Sequence, residues 1–183
     1  IGSHAGVSVG PDGATHQALE DISLMRPLSN MTVIVPADYL EAKKATIAAC
    51  SFPGPVYLRL GKDPSPNVTK EEDLFEIGKA SVLKDGKDLT LIACGVMVIE
   101  ALKASEALEK EGIGARVLNL HTIKPIDKKA IIDAARKTGA ILTAEEHTVI
   151  GGLGSAVAEV VVKNYPVPMD MVGIEDMFGR SGK

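Results

Sequence analysis

The sequence predicts an α/β fold made of two layered units with mostly parallel sheets, the first of them incomplete. Three observations predict it. Short β-branched runs alternate with longer amphipathic segments along the chain, the mark of α/β architecture. Around residues 64–73 two prolines precede Lys70, Glu71, Glu72 and Asp73 with no apolar period. This places a linker at 67–74, between a unit at 1–66 and a second at 75–183. The first unit carries signals for only two helices and two strands, thin for an independent core, so part of it is expected elsewhere.

Each element has a local reason. Asp12-Gly13 reads as a tight turn, because Gly supplies a positive φ and Asp bonds its own backbone. Thr15, or Asp12 behind it, is expected to cap a helix with Leu19, Ile22 and Met25 on one face. Residues 31–35 form a short strand ended by Pro36. Asp38 then caps a helix whose Leu40, Ala45, Ile47 and Ala48 make its buried side, and Pro53-Gly54-Pro55 stops it. Residues 56–58 read as a buried strand. Beyond the linker, 77–83 is expected to form a hairpin arm with 89–94 across the turn at 84–87.

The second unit continues with a clear helix at 96–111. Val98, Ala101, Leu102, Ser105 and Leu108 face inward, Glu100, Lys103, Glu109 and Lys110 outward, and Gly112 ends it. A strand follows at 117–120. Pro125 and Asp127 open a helix that ends at Gly139. Strand 141–143, helix 156–163 and strand 169–174 complete the pattern, without an internal repeat or low-complexity tract.

Composition narrows the function. Of the 183 residues, 45% are hydrophobic and 24% charged, which suits one ordinary domain or two small ones. A net charge of −4 argues against a nucleic-acid or membrane-surface role. No apolar run approaches the roughly 20 residues of a membrane span. No signal peptide is visible, and the opening at Ile1 without a methionine leaves a processed or longer N-terminus open. Cys50 and Cys94 do not make a disulfide framework and read as small core hydrophobes, which suits a cytoplasmic location.

The chemistry concentrates near the start. His4, Asp12 and His16 follow a His-x7-Asp-x3-His spacing in which Gly10 and Gly13 hold the backbone open. Histidine shuttles protons near neutrality without an engineered pKa shift. Taken singly, His16 also reads as an ordinary first-turn histidine and Asp12 as a turn-former. Arg59 stands at the C-terminal end of its strand, where open α/β sheets bind ligands, or else makes a surface ion pair. Lys62 reads as solvated. Glu145-Glu146-His147 suggests a metal site, but three consecutive residues cannot all face one ion, and a polar strand end at a domain contact is the better reading. Gly151-Gly152-Leu153-Gly154-Ser155 lacks the dinucleotide spacing and reads as a close-packed loop.

The run at 3–17 (Ser-His-Ala-Gly-Val-Ser-Val-Gly-Pro-Asp-Gly-Ala-Thr-His-Gln), with that at 27–38, closely resembles the pyrimidine-binding domain of transketolases. Gly151–Ser155 and Glu175-Asp-Met-Phe-Gly179 resemble the family's C-terminal domain, so the resemblance runs the full length. It is most like the second subunit of transketolases split into two chains. The resemblance implies a thiamine-diphosphate-binding fold for the first unit and a transketolase C-terminal domain for the second. It also implies transfer of a two-carbon ketol unit between sugar phosphates in the pentose phosphate pathway, with thiamine diphosphate and Mg²⁺. In the family, residues matching His4 and Arg59 hold the substrate phosphate, that matching Asp12 a hydroxyl, and that matching His16 assists proton transfer.

Departures from the family define the expected partners. The glutamate and aromatic residues that hold the thiamine pyrimidine precede the region matched by Ile1. The diphosphate and metal ligands belong to another domain, and residues 179–183 stop where a final helix would follow. The implied assembly is dimeric and includes a complementary transketolase chain carrying the diphosphate-binding domain, with the isolated chain inactive. Two other readings stay open. One is a different thiamine enzyme, a deoxyxylulose-phosphate synthase or a 2-oxo acid dehydrogenase β subunit, against which His4 and the intact Asp12–His16 run argue. The other is a non-catalytic assembly domain.

Overall fold

A computed structural model describes residues 1–182 and shows two sheets with helices around them. In the first sheet β1 (Thr32–Ile34) pairs in parallel with β2 (Val56–Leu58), and α2 (Tyr39–Ser51) connects them. Asp38 caps α2 by accepting from Glu41 N at 2.9 Å, and Glu41 reaches back to Ala37 N at 2.7 Å. The same Asp38 carboxylate accepts from Val68 N and Thr69 N, both at 2.7 Å, and so ties down the start of the linker. Burial alone would raise its pKa, but these N–H donors hold it below the ordinary value.

The second sheet has the order β3-β5-β4-β7-β8, comprising β3 (Ser81–Lys84), β4 (Leu89–Ala93), β5 (Ala115–Asn119), β7 (Ile141–Thr148) and β8 (Met169–Ile174). Its last four strands are parallel. Helix α3 (Met97–Lys110) covers one face, while α4 (Lys128–Thr138) and α5 (Leu153–Asn164) cover the other. Alternation along β4 serves both layers: Leu91 and Ala93 pack toward α3, Ile92 and Cys94 toward α4 and α5. Asp127 caps α4 through Ala130 N, and Gly139 closes it in the left-handed region at φ 69°.

Four local expectations are corrected. Residues 14–19 are not helical. Ala18 bridges Ala5 in an extended pairing, and α1 starts only at Asp21, as the short helix Asp21–Met25 without a side-chain cap. The arm at 81–84 does not pair with β4. Both edges of β4 are taken by β5 and β7, so β3 runs antiparallel to β5 at the sheet edge. Ile47 is 64% exposed, and Glu41 takes a buried place on α2 instead. Cys50 is exposed, while Cys94 is buried.

Strand β6 (Thr122–Lys124), from beyond the linker, pairs antiparallel with β1 and completes the first sheet. The sheets also meet where Gly95 N donates to Val35 O at 3.2 Å. The order β5-β4-β7 puts the topological switch of the second sheet between β4 and β7. Open α/β sheets bind ligands at the carboxyl ends of such strands. Here that end is covered by the first unit: Arg59 Nη2 donates to Glu146 O at 3.0 Å, and Ile22 N to His147 Nε2 at 3.0 Å.

Candidate functional site

The N-terminal segment runs beside β2, with Gly2 N donating to Leu58 O and Ala5 N to Leu60 O. It then turns through one 3₁₀ turn (Gly10–Asp12), and Gly13 continues at φ 73°. His16 N donates to Gly13 O at 3.0 Å, which closes the bend. This path brings the His4 and His16 rings near each other across an open rim, with centroids 6.3 Å apart and planes tilted by 54°. His4 holds a left-handed backbone at φ 62°, a conformation that costs a non-glycine residue and concentrates at functional sites.

Asp12 lies with them. Its carboxylate pairs with the Lys62 ammonium, which also donates to Val9 O at 3.3 Å. The Lys62 hydrogen bond, its charge and the fields of His16 and His4 hold Asp12 below the ordinary carboxylate pKa. Lys62 is therefore a member of the rim rather than a merely solvated lysine. Residue type alone gave no signal for this, since its partner sits 50 positions earlier. Two imidazoles, a carboxylate and an ammonium around an open loop suit a hydroxylated anion: donors for its charge, an acceptor for its hydroxyls, and a group able to move a proton.

Arg59 is buried rather than on the surface. Nε donates to Asp21 Oδ2 at 2.8 Å and Nη2 to Ala18 O at 2.9 Å, besides its bond to Glu146 O. Tyr57 OH donates to the same Asp21 oxygen at 2.8 Å, and burial followed by that bond pushes the Tyr57 pKa up. Neighbouring His147 receives Ile22 N on Nε2 and donates from Nδ1 to Thr148 O at 2.6 Å. This neutral tautomer agrees with a pKa lowered by burial.

Glu145 accepts from Leu153 N at 2.6 Å and Gly154 N at 2.8 Å, and so fixes the start of α5. Burial pushes its pKa up to about 7. Glu146 accepts from Ser8 N at 2.7 Å. The three consecutive polar residues thus serve three different contacts, and the Gly151–Ser155 loop packs closely: a Cβ on Gly152 would fall 2.1 Å from Glu145 Oε2.

Residues 1–66 match the family model described as transketolase, pyrimidine binding domain, and residues 78–183 match that of transketolase, C-terminal domain. Both are domains of one thiamine-diphosphate-dependent family. The chain belongs to the transketolase family. It is 47% identical over 182 residues to the 6-deoxy-6-sulfo-D-fructose transketolase subunit of Clostridium sp. strain MSTE9, covering 100% of this chain and 56% of that one. It is 43% identical over 177 residues to a subunit of the apulose-4-phosphate transketolase of Phocaeicola vulgatus, covering 96% and 56%. A solved split-gene transketolase described as an inactive beta4 tetramer superposes with a TM-score of 0.89 at 49% identity, covering 95% of this chain and 56% of that one. The chain therefore spans about half the length of these relatives.

Among the described residues no group of three or more His, Cys, Asp or Glu is placed to hold a metal ion, and no helix is long and apolar enough to cross a membrane. The rim does not fit a metal-bound diphosphate, because it offers a single carboxylate and His4, Asp12 and His16 are not grouped to hold a metal ion.

Proposed function

We propose that this chain is one component of a transketolase that moves a two-carbon ketol unit between sugar phosphates, and that it supplies the substrate-facing rim. The carrying observation is the pair of imidazoles 6.3 Å apart beside Asp12 and Lys62, inside the part that matches the pyrimidine-binding domain. His16 would carry the proton at the reacting hydroxyl, His4 would hold the substrate phosphate, and Asp12 would accept from a sugar hydroxyl. Arg59 joins the phosphate contact only by exchanging Asp21 for a phosphate oxygen. Thiamine diphosphate, with Mg²⁺, would supply the carbanion chemistry when bound through a complementary chain.

That the relatives are themselves subunits of transketolases supports this division of labour. The test mixes the purified chain with a complementary partner carrying the diphosphate-binding domain together with the glutamate and aromatic residues that hold the thiamine pyrimidine. Transfer from xylulose 5-phosphate to ribose 5-phosphate should appear only in the mixture. Turnover by this chain alone, or none in a folded mixture loaded with thiamine diphosphate and Mg²⁺, would overturn the reading.

A further inference from the structure

The last described residues return to the loop that carries His16. Gln17 is buried, and its side-chain nitrogen donates to Val7 O at 3.2 Å and to Arg180 O at 3.1 Å. Two carbonyls on one side settle which end of the amide is nitrogen. The other end, Oε1, is buried without a partner among the described residues and points at Gly179. A Cβ added to Gly179 would fall 1.7 Å from it.

The fit is repeated at the far end of the loop. Gly13, at φ 73°, faces Ser181, and a Cβ there would fall 2.2 Å from Ser181 Oγ. The loop and the tail at 179–181 therefore meet at two points, each made possible by a glycine, and His16 lies between them. Val7 belongs to the segment that presents His4, so one amide ties together the His4 segment, the His16 loop and the tail.

We propose that Gln17 is a positioning residue, and that the tail at 179–181 is the seat against which it sets the His4–His16 separation. The kinetic consequence rests on the proposed role of His16; the geometric one does not. Gln17→Leu keeps the bulk and removes both N–H donors, while Gly179→Ala pushes on the Gln17 amide from the tail side without substituting residue 17.

The test records histidine Cε1–H signals by NMR on the full chain, with and without these substitutions. The signals of His4 and His16 should shift in both variants, while that of His121, stacked on Phe75 at 4.3 Å, stays fixed. In the active mixture, kcat and kcat/KM should fall together by about tenfold to a hundredfold, because a displacement near 1 Å costs rates of that order. Unchanged His4 and His16 signals in both variants would overturn the proposal, and so would a parallel shift of His121, which marks a general loss of structure. A mixture inactive without any substitution defeats the ketol-transfer reading instead, and the NMR comparison still decides the role of Gln17.

Discussion

Two ion pairs of the same chemistry sit in one polypeptide and do different work. Lys62–Asp12 stands at the rim with side chains 34% and 33% exposed, whereas Arg59–Asp21 is enclosed at 4% and 12%. Water competes for the first pair, so Asp12 stays available to a ligand and its loss would leave the fold intact. The second pair is surrounded by Tyr57, Ala18 O and Glu146 O and joins the two sheets. Removing one member of such a pair strands the other in a dry interior. Exposure, rather than residue type, separates an open ion pair from a brace.

The rim should fail in rate. Changing His16 to alanine should lower kcat and kcat/KM together by about 10²–10⁴-fold, the usual contribution of a general acid–base group. Steady-state kinetics on the reconstituted mixture measure it, with circular dichroism to confirm folding. A loss confined to KM would make His16 a binding residue.

The brace should fail in stability. Arg59→Ala leaves Asp21 buried without its cation and should cost about 3–5 kcal/mol, visible as a fall in Tm of roughly 10 °C. If Arg59 also exchanges onto substrate phosphate, KM for phosphorylated donors should rise roughly ten- to a hundredfold while non-phosphorylated ketoses lose much less. His4→Ala should show that donor preference with little change in Tm. Equal losses on both donors for Arg59→Ala would leave it a brace only.

The pH dependence sharpens the contrast. Glu145 has a folded pKa raised to about 7, so the stability it contributes is present below about pH 4.5 and lost as pH rises through 7. His147 works in the opposite sense: its folded pKa is lowered, so stability is lost as pH falls below about 6.5. Denaturant unfolding of Glu145→Gln at pH 5 and pH 8 should show the variant relatively more stable at the higher pH. A difference independent of pH would mean that Glu145 is charged throughout.

The smallest effect is expected at Lys62. Lys62→Met should leave Tm unchanged within error and alter KM for sugar phosphates several-fold, because the pair is screened by solvent. A large drop in Tm would move Lys62–Asp12 into the same class as Arg59–Asp21.

Much of this molecule was legible in the residue order. The patterning of α3, the Asp127 and Gly139 boundaries of α4 and the limits of β8 are local, set by side-chain periodicity and caps within a few residues. His4, Asp12 and His16 were legible for the same reason, since a short stretch of chain with two glycines suffices to bend them together. What lay beyond was decided by contacts between distant segments. Arg59 reads as a ligand residue or a surface ion pair, and its enclosure by Asp21 and Glu146, 38 and 87 positions away, shows only in the structure. Strand β3 finds β5 because both edges of β4 are already paired, and β6 crosses from the second unit to β1. Gln17 meets Arg180 across 163 positions. Periodicity states which face of an element is buried, but burial partners are chosen by shape and unsatisfied polar groups once all elements are present, and only the tertiary structure supplies them.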